Sequence, residues 1–112
     1  MVCEQLECDT QSGCIKLYGA LDLDSVANVW HQGEELVRSG EIGLIDLSAV
    51  ERTDSAGVAL LVEWSRAARE AGVSLAFRDA PQQMRAIIRA SGVEDVLRMV
   101  ARGGEGLEER MD

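Results

Sequence analysis

Lysine is nearly absent: Lys16 is the only one, and 11 basic residues face 20 acidic ones for a net charge of -9. A phosphate-binding loop of the G-x-x-x-x-G-K type is therefore excluded, since Lys16 has no Gly-rich loop before it. The acid excess also excludes a nucleic-acid binder, which needs clustered Lys and Arg to neutralise phosphates. It argues equally against direct docking on anionic lipid headgroups. His31 is the only histidine, so multi-histidine metal sites and catalytic sets needing a second histidine are ruled out. Three cysteines, Cys3, Cys8 and Cys14, crowd the first residues with no C-x-x-C pair. They read as thiols in a reducing compartment, with no metal ligand set and no cofactor. The longest wholly apolar stretch, Val58 to Val62, is far too short to span a bilayer, so no direct membrane insertion is expected. The start of the chain lacks a basic stretch followed by an apolar run, and a cytoplasmic protein is the expectation.

What is present is enough for one domain of 112 residues, 46% hydrophobic. The segment from Val2 to Cys8 carries spaced apolar residues and a turn follows at Gln11-Ser12-Gly13. From Cys14 to Tyr18 the pattern alternates, with Ile15 and Leu17 on one side and Lys16 and Tyr18 on the other, which predicts a hairpin. Asp24 or Ser25 can cap a helix running to Arg38, whose stripe is Val26, Val29, Trp30, Gly33, Leu36 and Val37. The β-branched run Ile42 to Leu47 reads as a central strand buried on both faces. Ser48 to Gly57 reads as a loop entering a second helix that stops at Gly72. Val73 to Phe77 is the next strand, and Pro81 opens a third helix through Ala90. Val96 to Val100 is a short strand or a helical turn. The Gly-rich, charged residues 102–112 read as a flexible tail. The order β-β-α-β-α-β-α, then a short C-terminal element, predicts an α/β fold with a mixed, mostly parallel sheet and an N-terminal hairpin.

The stretch from Thr53 to Val62 carries the functional signal. Asp54 and Ser55 fall at the start of an apolar helix, where backbone N–H groups are unpaired and the dipole is positive. A hydroxyl there can cap the helix or carry a phosphate that those N–H groups stabilise. Ala56 and Gly57 are small enough to let a partner approach the backbone. On a helical wheel Gly57, Leu60, Leu61, Trp64, Ala68 and Ala71 share the face that must cover the sheet. Val58 and Val62 lie off that face, beside Ser65 and Arg69. If they are exposed they form a docking surface; the competing reading covers them with the third helix. Arg66 and Glu70 are spaced to pair across one turn. Asp22, Asp24, Asp46 and Asp54 have no histidine or cysteine base at a fixed spacing, so they read as caps and turn formers, and no catalytic residue is assigned. Trp30 and Trp64 read as core, with Trp30 large enough to reach a partner, and His31 as a surface residue.

The segments Gly19-Ala20-Leu21-Asp22, Leu44-Ile45-Asp46-Leu47-Ser48 and Thr53-Asp54-Ser55-Ala56-Gly57-Val58-Ala59-Leu60-Leu61 together resemble a STAS domain, the fold shared by sulfate-transporter tails and anti-sigma factor antagonists. The resemblance covers residues 1–101. Within the family the chain is most similar to the small STAS subunit of the bacterial Mla phospholipid-trafficking ABC transporter, through Leu21-Asp22 before a helix bearing Trp30, through Ile45-Asp46-Leu47-Ser48-Ala49-Val50, and through Val58-Ala59-Leu60-Leu61. The resemblance implies a non-enzymatic cytoplasmic subunit, peripheral on the inner membrane. It would bind the transporter's ATPase and, through it, the permease complex, supporting maintenance of outer-membrane lipid asymmetry. Ser55 takes the family's key hydroxyl position, with Thr53, Asp54, Ala56, Gly57, Val58 and Val62 as the surrounding partner-binding residues. The transporter branch often has threonine followed by Gly-Gly here. Ser55-Ala56-Gly57 is closer to the antagonist pattern, in which this serine is phosphorylated and releases an anti-sigma kinase.

Overall fold

The computed structural model describes residues 5–100. The segment before Gln5, Cys3 included, and the tail expected over 102–112 lie outside the described residues. The elements are β1 (Leu6–Asp9), β2 (Cys14–Leu21), α1 (Val26–Arg38), β3 (Leu44–Thr53), α2 (Ser55–Ala71), β4 (Ala76–Arg78), α3 (Gln82–Ser91) and β5 (Met99–Val100). They form one five-stranded sheet in the order β1-β2-β3-β4-β5. The β1–β2 hairpin is antiparallel and all other pairs are parallel. The expected fold class and the expected hairpin are both present.

The strand order equals the chain order. Each right-handed crossover therefore steps the same way, and all three helices lie on one face of the sheet. Alternation sends Ile15 and Leu17 of β2, Ile45 and Leu47 of β3 and Phe77 of β4 to that face, and all five are fully buried. The helices answer with Val29 and Val37 of α1, Leu60, Leu61 and Trp64 of α2, and Met84 and Ile88 of α3. α1 meets α2 where Gly33 leaves room for the Trp64 indole, whose Nε1–H donates to the Trp30 carbonyl at 3.2 Å. α2 ends as expected at Gly72, in the left-handed conformation with φ 73°.

The opposite face carries a polar row. Glu7, Lys16, Asp46 and Arg78 stand at matched register positions across β1, β2, β3 and β4. Tyr18 donates its hydroxyl to Glu7, and Lys16 lies over the Tyr18 ring. β3 is thus not apolar on both sides: Asp46 is buried among charged neighbours, 3.1 Å from Arg78. Burial pushes the Asp46 carboxyl up, but the Ser48 amide, the Ser48 hydroxyl and the Arg78 guanidinium outweigh it and hold it below the ordinary 3.8. A depressed folded-state pKa stabilises the fold above the unfolded value, and that stability is lost as pH falls through the folded value. Asp46→Asn is expected to cost about 1–2 kcal/mol at neutral pH and to flatten the acid limb of stability. Urea unfolding at stepped pH reads both effects.

Several boundaries differ from the sequence reading. The expected loop from Ser48 to Gly57 is mostly strand: β3 runs to Thr53, because 49–53 pair with 18–21 of β2 through two register shifts. β4 begins later, at Ala76. Pro81 is the N-cap of α3 rather than its first residue, and the last element is a strand, β5. Ala71 is exposed, off the buried face of α2. Arg66 pairs with Glu63 and Glu70 pairs with Arg38, since α1 brings a guanidinium within 2.8 Å of Glu70.

Candidate protein-docking site

The carboxyl ends of β2 and β3 lie side by side, so the turns leading into α1 and α2 meet at one edge of the sheet. Loops at that edge are where parallel α/β sheets present binding groups. Two aspartates build it. Asp54 is extended at the N-cap of α2, and its Oδ1 accepts from the Ala56 amide at 2.8 Å. Its Oδ2 accepts from the Leu23 amide at 3.3 Å, tying the two helix entrances together. Asp22 does the parallel work for α1, with Oδ1 accepting from the Asp24 and Ser25 amides. Ser25 Oγ accepts from the Asp22 amide and donates to the Ala20 carbonyl. Burial raises the Asp22 carboxyl, yet the Ser25 hydroxyl and amide, with Arg52 at 3.5 Å, leave it net below its ordinary value. Of the carboxylates singled out from sequence, Asp22 and Asp54 therefore serve as turn former and cap, Asp46 is ion-paired, and Asp24 enters the turn through its amide alone.

The predicted site residues divide into two groups. Ser55 is exposed, and no group among the described residues holds its hydroxyl. Asp54, Ala56 and Val62 are half-buried at the surface. Thr53, Gly57 and Val58, expected among the partner-binding residues, are buried in the chain by itself. Thr53 Oγ1 donates to the Leu21 carbonyl at 2.8 Å, and its amide donates to Gln83 Oε1 of α3. Gly57 faces inward: a Cβ there would lie 2.2 Å from Thr53 Oγ1 and 2.4 Å from the Leu21 carbonyl oxygen. Its smallness lets α2 pack on the end of β2. Val58 is only 3% exposed, as the competing reading had it.

The expected phosphate cradle is also different. The Ala56 amide is held by the Asp54 carboxylate, and the Gly57 and Val58 amides donate to the Asp54 carbonyl. The N–H groups meant for a phosphate on Ser55 are thus engaged within the cap, and the acceptor holding the Ala56 amide is itself a carboxylate.

Sequence reasoning missed Leu23. It is 74% exposed, the most exposed large apolar side chain among the described residues, and its amide is pinned by Asp54. Its signal was an apolar residue between two aspartates in a helix-entry turn. Leu23, Ser55, Ala56, exposed Ala59 and Val62 make a surface of small and apolar groups with one hydroxyl, which suits protein contact rather than catalysis. Among the described residues no cluster of His, Cys, Asp and Glu could hold a metal, and no helix is long and apolar enough to cross a membrane.

A mixed sheet with this strand order and these two linked helix entrances defines a STAS fold. The chain belongs to the family described as "Mlab, STAS domain", which it matches over residues 5–101. Among solved structures it is similar to the anti-sigma factor antagonist SpoIIAA in its unphosphorylated form, with TM-score 0.63 and 21% identity over 86% of each chain. The phosphorylated form of the Bacillus cell fate determinant SpoIIAA gives TM-score 0.63 and 22% identity, over 88% of this chain and 91% of that one. A putative anti-sigma factor antagonist from Thermotoga maritima gives 0.62 and 13%, over 84% and 82%. At these identities the likeness is one of fold. No curated protein matches the sequence.

Proposed function

We propose that this chain is the non-enzymatic STAS subunit of an Mla-type phospholipid ABC transporter, and that it docks on the transporter's ATPase through the edge formed by Leu23, Ser55, Ala56, Ala59 and Val62. The observation that carries the reading is membership of the family described as Mlab, STAS domain. The engaged cap supports it: a surface whose helix amides are already occupied suits lasting apolar contact more than a phosphate switch. Through the ATPase the subunit would sit at the cytoplasmic side of the inner membrane and support lipid asymmetry of the outer membrane.

A second reading has its own support. Ser55-Ala56-Gly57 follows the antagonist pattern, and the exposed Ser55 hydroxyl is accessible to a kinase. In that case the partner is an anti-sigma kinase and phosphate on Ser55 ends the contact.

Purification of the tagged protein from its own cells in mild detergent separates the two. Recovery with an ABC ATPase and its permease is expected, and Ser55→Glu should lower affinity for that ATPase by at least about tenfold, through desolvated charge beside Asp54. Ser55→Ala should stay within about twofold, as an exposed hydroxyl contributes little. Recovery with a soluble kinase instead, and phosphate on Ser55, would replace the first reading by the second.

A further inference from the structure

Among the described residues no helix covers the face of the sheet opposite α1, α2 and α3. A charged row crosses that face: Glu7, Lys16, Asp46 and Arg78 are register partners on four neighbouring strands. Their signs alternate, minus, plus, minus, plus, and sum to zero. In a chain of net charge -9 this row is balanced, and it uses the only lysine. Asp46 and Arg78 are paired at 3.1 Å, with 11% and 27% of their side chains still exposed. Glu7 is exposed and Lys16 half-buried. Lys16 has no carboxylate within ion-pair distance among the described residues; its ammonium lies 5.7 Å from the Tyr18 ring centre. Alongside runs a row of uncharged register partners, Cys14, Leu44 and Ala76, which Asp9 closes at the β1 edge.

An alternating row of even length, read backwards, is its own complement. Two copies placed face to face about a two-fold axis parallel to the strands reverse the strand order. Glu7 then stands opposite Arg78 of the second copy, and Lys16 opposite its Asp46, each pair occurring twice. Cys14 and Leu44 of one copy stand opposite Leu44 and Cys14 of the other. A two-fold axis across the strands would instead set every charge against itself. We infer that two copies of this chain associate through this face, packed sheet on sheet about a two-fold axis parallel to the strands. Stacked sheets lie about 10 Å apart, a gap that Glu, Lys and Arg side chains bridge from both sides. Contact of one patch with itself is the commonest route to a dimer. Charge complementarity here fixes orientation more than strength. The strands β1, β4 and β5 are four, three and two residues long, so the face is small. A standard interface takes about 800 Å² from each partner, and a smaller one gives a dissociation constant on the order of 0.1 mM. Ser55 lies on α2, across the sheet from this face, so docking there and pairing of copies are separate events.

The test is sedimentation equilibrium of the full chain under reducing conditions, from about tenfold below to about tenfold above that value, with amide chemical shifts followed over the same range. A dimer is expected to grow in with concentration, with shifts at Glu7, Cys14, Lys16 and Leu44 and none at Leu23 or Ser55. The double variant Glu7→Lys with Lys16→Glu keeps composition and net charge, yet turns every facing pair into like charges. It should weaken the dimer by about tenfold or more, and its thermal midpoint checks that the fold is kept. Lys16→Gln, a milder change, should weaken the dimer by about threefold. Added salt should weaken it too. A monomer across the whole range, an oligomer larger than two, shifts centred on Leu23 and Ser55, or a dimer indifferent to both variants would each overturn the proposal. A dimer strengthened by salt would overturn its charge pairing.

Discussion

Gly57→Ala is expected to destabilise the protein by about 3 kcal/mol or more, read as a drop in the urea midpoint with an unchanged slope. The added Cβ would sit 2.2 Å from Thr53 Oγ1 and 2.4 Å from the Leu21 carbonyl oxygen. Rotating Thr53 away relieves only the first clash, and it breaks the buried hydrogen bond that joins the ends of β2 and β3. The second neighbour is backbone and moves only if the strand moves. Overpacking costs about 1–3 kcal/mol, and a buried acceptor left unpaired adds a similar amount. A midpoint within experimental error of the parent would refute the close packing of α2 on β2. The same variant should also displace Ser55, two residues away on the same turn, so loss of partner binding is expected to accompany loss of stability.

Gly33 and Trp64 should behave as a coupled pair. A Cβ on Gly33 would lie 2.1 Å from Cζ2 of the fully buried Trp64. Gly33→Ala is therefore expected to cost about 2–3 kcal/mol despite its better helix propensity. Trp64→Leu should cost about 3 kcal/mol through the cavity it opens and the loss of the bond to the Trp30 carbonyl. Together the two should cost at least about 1 kcal/mol less than their sum, since the smaller side chain makes room for the methyl. Denaturant unfolding followed by circular dichroism gives the cycle, and strict additivity would mean the two helices separate instead of clashing.

Much of this architecture is legible in local pattern. The alternation from Cys14 to Tyr18, the stripe of α1 and the stop at Gly72 are set by neighbours within one turn or one pleat, and the structure follows them. What escaped depends on distant partners. The extension of β3 to Thr53 rests on pairing with residues some thirty positions earlier, through register shifts that no period reveals. Val58 is buried although it lies off the face assigned to the sheet, and a wheel knows only one covering surface, whereas α2 packs against α1 and α3 as well. Arg66 and Glu70 fit an intrahelical pair, but Arg38 from α1 claimed the glutamate. In the site, Ser55 and Asp54 were visible as a helix start. Leu23 was not, because its role follows from the hydrogen bond that brings two helix entrances together.

The agreement between strand order and chain order has a consequence for how the molecule is made. Every element packs beside the one just before it, so no strand has to be inserted between two that are already paired. A chain emerging from the ribosome can lay down the hairpin, add α1 and β3, and then extend the sheet from one open edge as each later unit arrives. Loop closure is met in instalments of about one βαβ unit rather than across the whole domain. The growing edge is exposed only until the next strand arrives, and among the described residues the strand that arrives last is β5.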